Sequence, residues 1–222
     1  MNQNFDVLVA DSRHTGFAHA ICEEMAASAK ARGTGIAKRS PDYLVNKMLE
    51  GKAVIAVAAD GRWAGFCYIE SWSHDEYVAN SGLIVSPEFR KSGVAKMVKQ
   101  KIFELSRQKY PNAKIFGLTT GLAVMKINSD LGYEPVTYSE LTQDEAFWEG
   151  CKSCVNFDIL TSKERKNCLC TAMLYDPQDH YEPAETAQQF KKTAKAHERL
   201  LNFKKIRFLK FPRKRSNKKV LK

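Results

Sequence analysis

The chain has 222 residues, and its 35 Lys and Arg against 25 Asp and Glu give a formal net charge of +10. Ten basic residues and no acidic one fall in residues 204–222, so residues 1–203 carry no net charge. A hydrophobic content of 44% is enough for a full core without disulfides, and it excludes collagen-like and largely disordered chains.

The start of the chain lacks the charged and then apolar layout of a signal peptide, and no apolar run approaches about 20 residues. We therefore expect a cytoplasmic protein without a transmembrane segment. In that compartment the six cysteines stay reduced unless they bind a metal.

The first quarter of the chain predicts a strand followed by two helices. Residues 5–10 form the strand, and Asp11 and Ser12 suit the start of the first helix. Ser40 followed by Pro41 predicts the start of the second helix, which ends at Gly51. The apolar face of the first helix comprises Phe17, Ile21, Cys22 and Met25.

An antiparallel meander follows. Residues 53–59 predict a strand, Asp60-Gly61 a hairpin turn, and the next strands run to residue 72 and over 76–86. A helix over 93–110 and a strand over 114–120 then complete one parallel crossover.

The remaining elements are a helix over 121–131, strands over 133–138 and 170–175, and a short helix between them. That short helix is expected to start with a capping box formed by Thr142 and Glu145. This mixed order favours an α+β fold over a doubly wound one. We expect one domain over 1–176, with a cysteine-rich segment at 151–170, and a C-terminal helix and basic tail over 177–222.

The strand-to-helix junction at residues 85–95 has the clearest chemical signature. Gly93 and Ala95 leave room for a bulky anion beside the backbone, while Arg90 and Lys91 add positive charge. The free N–H groups and positive end of a helix N-terminus favour an anion there. The segment therefore predicts a phosphate or pyrophosphate site.

The run VSPEFRKSGVA over 85–95 resembles motif A of the GNAT acyltransferases, whose pattern is Arg/Gln-x-x-Gly-x-Gly/Ala. The element order over about residues 5–140 is also similar to that family. The resemblance implies a mixed, mainly antiparallel central sheet, flanked by helices and splayed at an acyl-CoA site. It implies acetyl-CoA or succinyl-CoA as cofactor, with pyrophosphate on the motif A amides and pantetheine on the preceding strand. The implied cofactor-binding residues are Ile84, Val85, Arg90, Lys91, Ser92, Gly93, Val94 and Ala95.

A second resemblance concerns the acceptor. Residues 116–120, followed by a helix and Leu131-Gly132-Tyr133, are similar to the Leu-Thr-Thr…Gly-Phe stretch of bacterial N-acetylglutamate synthases. Residues 30–175 also resemble the stand-alone GNAT proteins that accompany arginine-biosynthesis enzymes in Bacteroidetes-type bacteria. The resemblance implies the α-amine of an amino acid, glutamate above all, as acceptor.

A dicarboxylate acceptor needs fixed cations or N–H donors, ideally a guanidinium. The loop between the first two helices, which overhangs the acceptor cleft in this family, supplies cations that are alternatively explained as a solvated surface. The candidate acceptor-binding residues are Arg32, Lys38 and Arg39 in that loop, and Thr119, Thr120 and Lys126 at the cleft floor.

Direct acyl transfer also needs a base, an oxyanion donor and a proton for the leaving thiolate. A backbone N–H near Ile84 can serve as the oxyanion donor. Many GNAT proteins carry a glutamate on the strand before motif A, where this chain has Ala79, Asn80 and Ser81, and a tyrosine where it has Asn128. Glu70, His74 and Tyr77 are the titratable alternatives. Structural roles for these three, and proton loss through ordered water, stay open.

Four of the six cysteines form two close pairs, namely Cys151 with Cys154 and Cys168 with Cys170. Two such pairs can complete a four-sulfur zinc site, whose role would be structural. The alternatives are reduced cysteines around the acceptor cleft and a redox-switching pair.

The basic tail interleaves Phe208, Leu209 and Phe211 with cations. This pattern suits binding to nucleic acid or to an anionic membrane surface, and it is alternatively explained as a solvated tail.

The sequence is compatible with three functions. The first is a small-molecule N-acyltransferase acting on an amino acid, above all glutamate, the second a GNAT acting on protein lysine or another amine, and the third a non-catalytic CoA-binding module. An oligomer is compatible with each.

Overall fold

The computed structural model describes residues 4–33 and 38–180. The chain divides into two compact units, Met1–Pro177 and Gln178–Lys222, and the fold described below is that of the first. The predicted C-terminal helix and basic tail lie outside the described residues. None of the described helices is both long and apolar enough to cross a bilayer.

Seven strands form one sheet in the order β1-β2-β3-β4-β5-β7-β6. Every neighbouring pair is antiparallel except β4 and β5, which are parallel. The predicted α+β fold with a mixed, mainly antiparallel sheet is confirmed. The strands are β1 (Phe5–Val9), β2 (Ala53–Ala58), β3 (Trp63–Trp72), β4 (Tyr77–Val85), β5 (Lys114–Thr119), β6 (Glu134–Val136) and β7 (Thr171–Tyr175).

Six α-helices flank this sheet in the described part of the chain. They are α1 (Ala18–Arg32), α2 (Pro41–Leu49), α3 (Val94–Lys109), α4 (Leu122–Asp130), α5 (Glu145–Glu149) and α6 (Phe157–Ser162). The hydroxyl of Ser40 accepts a hydrogen bond from the Tyr43 amide at 3.2 Å, so the predicted start of α2 is confirmed.

Two helix starts differ from the sequence prediction. Asp11 caps a 3-10 turn, Ser12–Phe17, and α1 begins only after it. The cap of α5 is Asp144, whose carboxylate accepts from the Ala146 amide, and not Thr142. The Thr142 hydroxyl is instead shared between Ser73 and the Asp144 amide.

The core consists of layers on the two faces of the sheet. On one face α3 packs its buried Val94, Val98 and Ile102 against the sheet. On the other face α1 and α2 pack through Ile21 and Leu44. A third cluster, which includes Phe116, Trp148 and Leu160, lies beneath the segment that joins β6 to β7.

The parallel pair opens partway along its length. β4 and β5 pair only from Tyr77 with Lys114 to Ala79 with Phe116, although both strands continue beyond that point. Gly82 lies where the β3–β4 register shifts, with a φ of +64°, and a Cβ there would be 2.4 Å from the Tyr68 ring. Glycine therefore permits the bulge that bends β4, and the two strands diverge.

Candidate active site

The diverging strands open into a cavity of about 610 Å³. Its walls come from β3, β4, β5, the start of α4, the ends of the α1–α2 loop and the segment between β6 and β7. A volume of this size suits a small-molecule ligand. The cavity passes the point at which β4 and β5 part, so it can receive a ligand that enters between the strands.

The loop before α3 is shaped as an anion cradle. Lys91 and Gly93 have φ values of +63° and +89°, and within the described structure the backbone N–H groups of residues 91–95 have no acceptor. The Ser92 hydroxyl donates to the Phe89 carbonyl at 2.5 Å and holds the turn. These N–H groups and the helix end can bind a pyrophosphate.

A glycine in the sheet allows the first turn of α3 to approach closely. A Cβ on Gly65 would lie 2.6 Å from Cγ1 of Val94, so only glycine fits beneath the helix start. Val94 is buried here, as is Ile84 on β4, whereas Val85 is partly exposed.

The two motif A cations differ in their surroundings. The guanidinium of Arg90 lies 2.5 Å from the Glu24 carboxylate and 3.1 Å from the Ser28 hydroxyl, so it is turned towards α1. Lys91 is exposed at the mouth of the loop. Of the two, Lys91 is the cation free to move towards a phosphate.

A largely buried ion pair forms part of the cavity wall beside the point at which β4 and β5 part. Nη2 of Arg39 lies 3.1 Å from Oε1 of Glu70, and the two side chains are only 20% and 10% exposed. Nε of Arg39 donates to the Tyr68 hydroxyl at 3.1 Å. The Glu70 carboxylate also accepts from the hydroxyls of Tyr43 and Ser81.

Burial and charge fix the protonation of this group. Burial opposes the charge of Arg39, but the neighbouring Tyr68, Glu70 and Tyr43 outweigh it and raise the pKa of the guanidinium. Burial and the Glu70 carboxylate raise the pKa of both Tyr43 and Tyr68. Both tyrosines are therefore neutral hydrogen-bonding groups at neutral pH and poor candidates for a base.

The structure separates the residues predicted to do chemistry. Glu70 and Asn128 line the cavity, whereas His74 and Tyr77 do not. His74 is exposed in the β3–β4 turn with a φ of +56°. Tyr77 packs its ring 6.3 Å from Phe116.

The predicted acceptor-binding residues also divide. Arg32, Arg39, Thr119 and Thr120 line the cavity. Lys38 and Lys126 are exposed and do not line it. The Lys38 backbone instead donates to the Ser153 hydroxyl at 3.3 Å, which joins the α1–α2 loop to the segment between β6 and β7.

Asn128 occupies the position at which the family resemblance implies a tyrosine that acts as the general acid. It is 1% exposed, and its Nδ2 contacts the Met173 sulfur at 3.7 Å. Its buried Oδ1 has no hydrogen-bond partner in the described part of the chain. An unpaired buried carbonyl at a cavity wall can accept a hydrogen bond from a ligand.

The structure does not support the zinc prediction for Cys151, Cys154, Cys168 and Cys170. Residues 4–33 and 38–180 contain no group of three or more His, Cys, Asp or Glu that could hold a metal ion. All four cysteines are free and line the cavity. Burial, reinforced by neighbouring cysteines, raises the pKa of Cys151 to about 11 and that of Cys170 to about 12, so these two remain neutral thiols.

The cysteines belong to the segment between β6 and β7, which the sequence pattern did not reveal as a unit. Residues 137–170 leave the sheet after β6, form α5 and α6, and return as β7 between β5 and β6. Within this segment Nε1 of Trp148 donates to the Thr142 carbonyl at 3.1 Å, and the Thr142 hydroxyl lies 3.0 Å from that of Ser73 in the β3–β4 turn. From this segment Phe147, Phe157 and Leu160 line the cavity.

Sequence reasoning also missed Lys99 of α3. It is 2% exposed, lines the cavity and donates to Oδ1 of Asn80 at 3.2 Å. One signal was available: Lys99 and Ser106 lie seven residues apart, beside the apolar face of the helix, and both are buried.

Residues 39–125 match the model of the acetyltransferase (GNAT) family. No curated protein matches the chain. The solved structures with a similar fold include N-acetylglutamate synthase from Neisseria gonorrhoeae complexed with coenzyme A and N-acetyl-glutamate. The identity is 16% and the TM-score 0.55, and the alignment covers 78% of this chain but only 35% of the synthase.

Two shorter proteins align over nearly all of their length. The putative acetyltransferase yncA from Salmonella typhimurium, solved with acetyl-CoA, has 14% identity and a TM-score of 0.54, with 81% of this chain and 98% of yncA covered. A phosphinothricin acetyltransferase from Sinorhizobium meliloti, also with acetyl-CoA, has 13% identity and a TM-score of 0.51, with 79% and 89% covered. The described chain therefore has the GNAT fold, and the match to the acetyltransferase (GNAT) family model lies within it, over residues 39–125.

Proposed function

We propose that the protein transfers an acetyl group from acetyl-CoA to the α-amine of a free amino acid, with glutamate as the first candidate. The observation that carries this proposal is the Arg39–Glu70 pair in the cavity wall, where Glu70 lies opposite Ala79, the last residue of β4 that pairs with β5. The cavity therefore connects the opening between β4 and β5, through which the cofactor enters, to a wall that carries the positive Arg39 and the negative Glu70.

The cofactor end fits acyl-CoA. The N–H groups over 91–95, which have no acceptor in the described structure, can bind the pyrophosphate, and the stretch of β4 beyond Ala79, which β5 leaves unpaired, can bind the amide-rich pantetheine arm. Both solved acetyltransferases described above hold acetyl-CoA. Succinyl-CoA is the alternative donor, and the acetyltransferase description of the matching family favours acetyl-CoA.

The acceptor end fits a zwitterion. A carboxylate can bind the guanidinium of Arg39, and the ammonium of the same molecule can bind Glu70, without a net charge being buried. Arg32 also lines the cavity and supplies a cation for a second carboxylate. Together with the resemblance to N-acetylglutamate synthases, this favours glutamate and a role in arginine biosynthesis.

The covered cavity favours a small acceptor over a lysine in a protein. The segment over 137–170 and the α1–α2 loop meet at Lys38 and Ser153, and the aromatic side chains of Phe147 and Phe157 line the cavity. A lysine carried by a folded protein would need an open groove at this position.

We infer direct transfer in a ternary complex. The amine attacks the thioester carbon while a backbone N–H near Ile84 stabilises the oxyanion. Glu70 holds and orients the incoming ammonium, because its carboxylate lies in the cavity wall and is fixed by Arg39, Tyr43 and Ser81. The neutral tyrosines orient this carboxylate and do not take up the proton.

Turnover across a panel of acceptors tests the proposal. Purified protein is mixed with acetyl-CoA or succinyl-CoA, and free thiol is followed with glutamate, aspartate, glutamine, neutral amino acids and a lysine-containing peptide. We expect the highest kcat/KM with acetyl-CoA and a free acidic amino acid. Turnover only with the peptide would favour the protein-lysine alternative, and CoA binding without turnover would favour a non-catalytic module; either result contradicts the proposal.

Two arginine variants sharpen this test. Arg39→Met removes the carboxylate partner and should raise the KM for the acceptor by about 10-fold or more, since a charge-assisted hydrogen bond contributes about 1.5–3 kcal/mol. Arg13→Met is the matched control because the Arg13 side chain is 76% exposed and does not line the cavity. Equal KM values for the two variants would contradict the assigned role of Arg39.

A further inference from the structure

Lys99 is a buried cation at the point where β4 and β5 part. Its neighbour Asn80 directly follows the last paired residue of β4, Ala79. Gly117 of β5 lies across the opening and is next to Asn128, because a Cβ added to Gly117 would be 3.8 Å from Nδ2 of Asn128. Lys99, Asn80, Gly117 and Asn128 all line the cavity, so Lys99 lies beside the passage between the two strands.

The direction of the local hydrogen bonds is fixed. The Ser106 hydroxyl donates to the Ile102 carbonyl at 2.8 Å and therefore accepts from Nδ2 of Asn80, also at 2.8 Å. This turns Oδ1 of Asn80 towards Lys99 at 3.2 Å and the Tyr133 hydroxyl at 3.0 Å. Both lone pairs of that oxygen are used, so Asn80 holds the lysine in place.

Lys99 lacks a counter-ion. No carboxylate pairs with it among residues 4–33 and 38–180, and the two titratable groups that face it are Cys67 of β3 and Tyr133 after α4. Burial raises the pKa of Cys67 to about 11 and that of Tyr133 well above its usual value, so both are neutral. A buried ammonium held by one amide oxygen is costly to fold around, which points to a functional role.

We propose that Lys99 is the proton donor to the thiolate of coenzyme A as it leaves during acyl transfer. The inference rests on the proposed function, because it requires acyl-CoA in the opening between β4 and β5. Three observations carry it: the position of Lys99 at that opening, its lack of an anionic partner, and the presence of Asn128, which has no acidic proton, on the opposite side.

The step balances as follows. The acceptor ammonium first loses a proton to solvent, and its nitrogen then forms a bond to the thioester carbon. The carbon–sulfur bond breaks with its electron pair on sulfur, and the Lys99 ammonium transfers a proton to that sulfur. The second proton lost from nitrogen returns Lys99 to its charged form, so the products are the N-acyl amino acid, coenzyme A and one proton.

The titration of Lys99 suits this role. Burial lowers its pKa to about 8, close to that of an ordinary thiol at about 8.5. Proton transfer between groups of similar pKa is efficient near neutral pH, and a general acid contributes about 100- to 10,000-fold to a rate.

The test compares wild type with Lys99→Met, which keeps the length of the side chain and removes the charge. We expect kcat to fall by about 100-fold or more with the KM values little changed. The wild-type kcat should decline above pH 8 as Lys99 loses its proton, and this decline should be absent from the variant. Lys109→Met, the same change at an exposed position of α3, should behave as wild type.

Coenzyme A alone supplies a second readout. The ultraviolet absorbance of its thiolate is titrated in complexes with each protein, and the thiolate should appear at lower pH with wild type than with Lys99→Met. Equal kcat values and pH profiles, or a variant that no longer binds coenzyme A, would overturn the role of Lys99. If wild type itself neither binds coenzyme A nor turns over, the proposed function fails first.

Discussion

Replacement of Glu70 by Gln isolates the charge of the buried ion pair from its hydrogen bonds. The amide oxygen can still accept from Tyr43 and Arg39, and the amide nitrogen can donate to Ser81, so the three contacts keep their geometry. What changes is that the Arg39 guanidinium loses its only carboxylate partner among the described residues.

The size of the effect follows from burial. Breaking a fully buried ion pair costs about 3–5 kcal/mol because the remaining charge is uncompensated. Arg39 keeps 20% of its side-chain surface exposed and borders the cavity, so solvent reduces this cost to about 2 kcal/mol. For a chain of this length the melting temperature should fall by roughly 4–8 °C.

Urea denaturation of Glu70→Gln, Arg39→Met and the double variant measures the coupling between the two residues. The double variant should lose about 2 kcal/mol less than the sum of the single losses, since it leaves no unpaired charge. The urea m-value should stay constant across the set. Losses that add to within roughly 0.5 kcal/mol would refute the interpretation that the pair stabilises this wall of the cavity.

Three further changes test the fold around the site. Gly65→Ala places a Cβ 2.6 Å from Val94. The variant should lose about 1–3 kcal/mol of unfolding free energy and bind CoA more weakly in calorimetry. Unchanged CoA affinity would show that the start of α3 does not set the cofactor site. Gly82→Ala adds a Cβ 2.4 Å from Tyr68 at a φ of +64°. Urea denaturation should show a loss of at least about 2 kcal/mol in the free energy of unfolding. No loss would refute the need for glycine in the bulge. Burial lowers the pKa of Lys99 from 10.5 to about 8, so between pH 8 and 10.5 the unfolded chain binds more protons than the folded one, and the stability of wild type should rise with pH. Lys99→Met should lack this rise. Equal slopes of stability against pH for the two proteins would contradict the burial of a charged Lys99.

The sheet could be predicted because its signals are local. Asp60-Gly61 specifies a hairpin turn, and the flanking strands were placed to within one or two residues of β2 and β3. The Ser40-Pro41 start and the small residues of motif A fixed the positions of α2 and α3 in the same way.

The acceptor end could not be predicted to the same degree because its contacts are long-range. Arg39 and Glu70 are separated by 31 residues, and α6, unlike the predicted α5, is too short to give a clear helical period and lacks a capping signal. The spacing of the four cysteines suggested a metal site, but spacing carries no information on whether four sulfurs converge on one point. The four cysteines reach the cavity because residues 137–170 connect β6 to β7 beside β5.

The charge total of +10 likewise says little about the site. The cavity contains cations at Arg32, Arg39 and Lys99 and carboxylates at Glu70 and Glu149. Placement of these few charges, one of them buried without a carboxylate partner among the described residues, matters more for the proposed chemistry than the sum over the chain.

The most direct measurement of the central claim compares kcat/KM for glutamate with that for its α-amide, using acetyl-CoA and wild-type protein. The amide retains the amine and the side-chain carboxylate and loses only the group assigned to Arg39. The account predicts a kcat/KM for the amide that is lower by about 10- to 100-fold, as the loss of a charge-assisted hydrogen bond implies. Equal values for the two acceptors would contradict recognition of a zwitterionic amino acid by the Arg39–Glu70 pair.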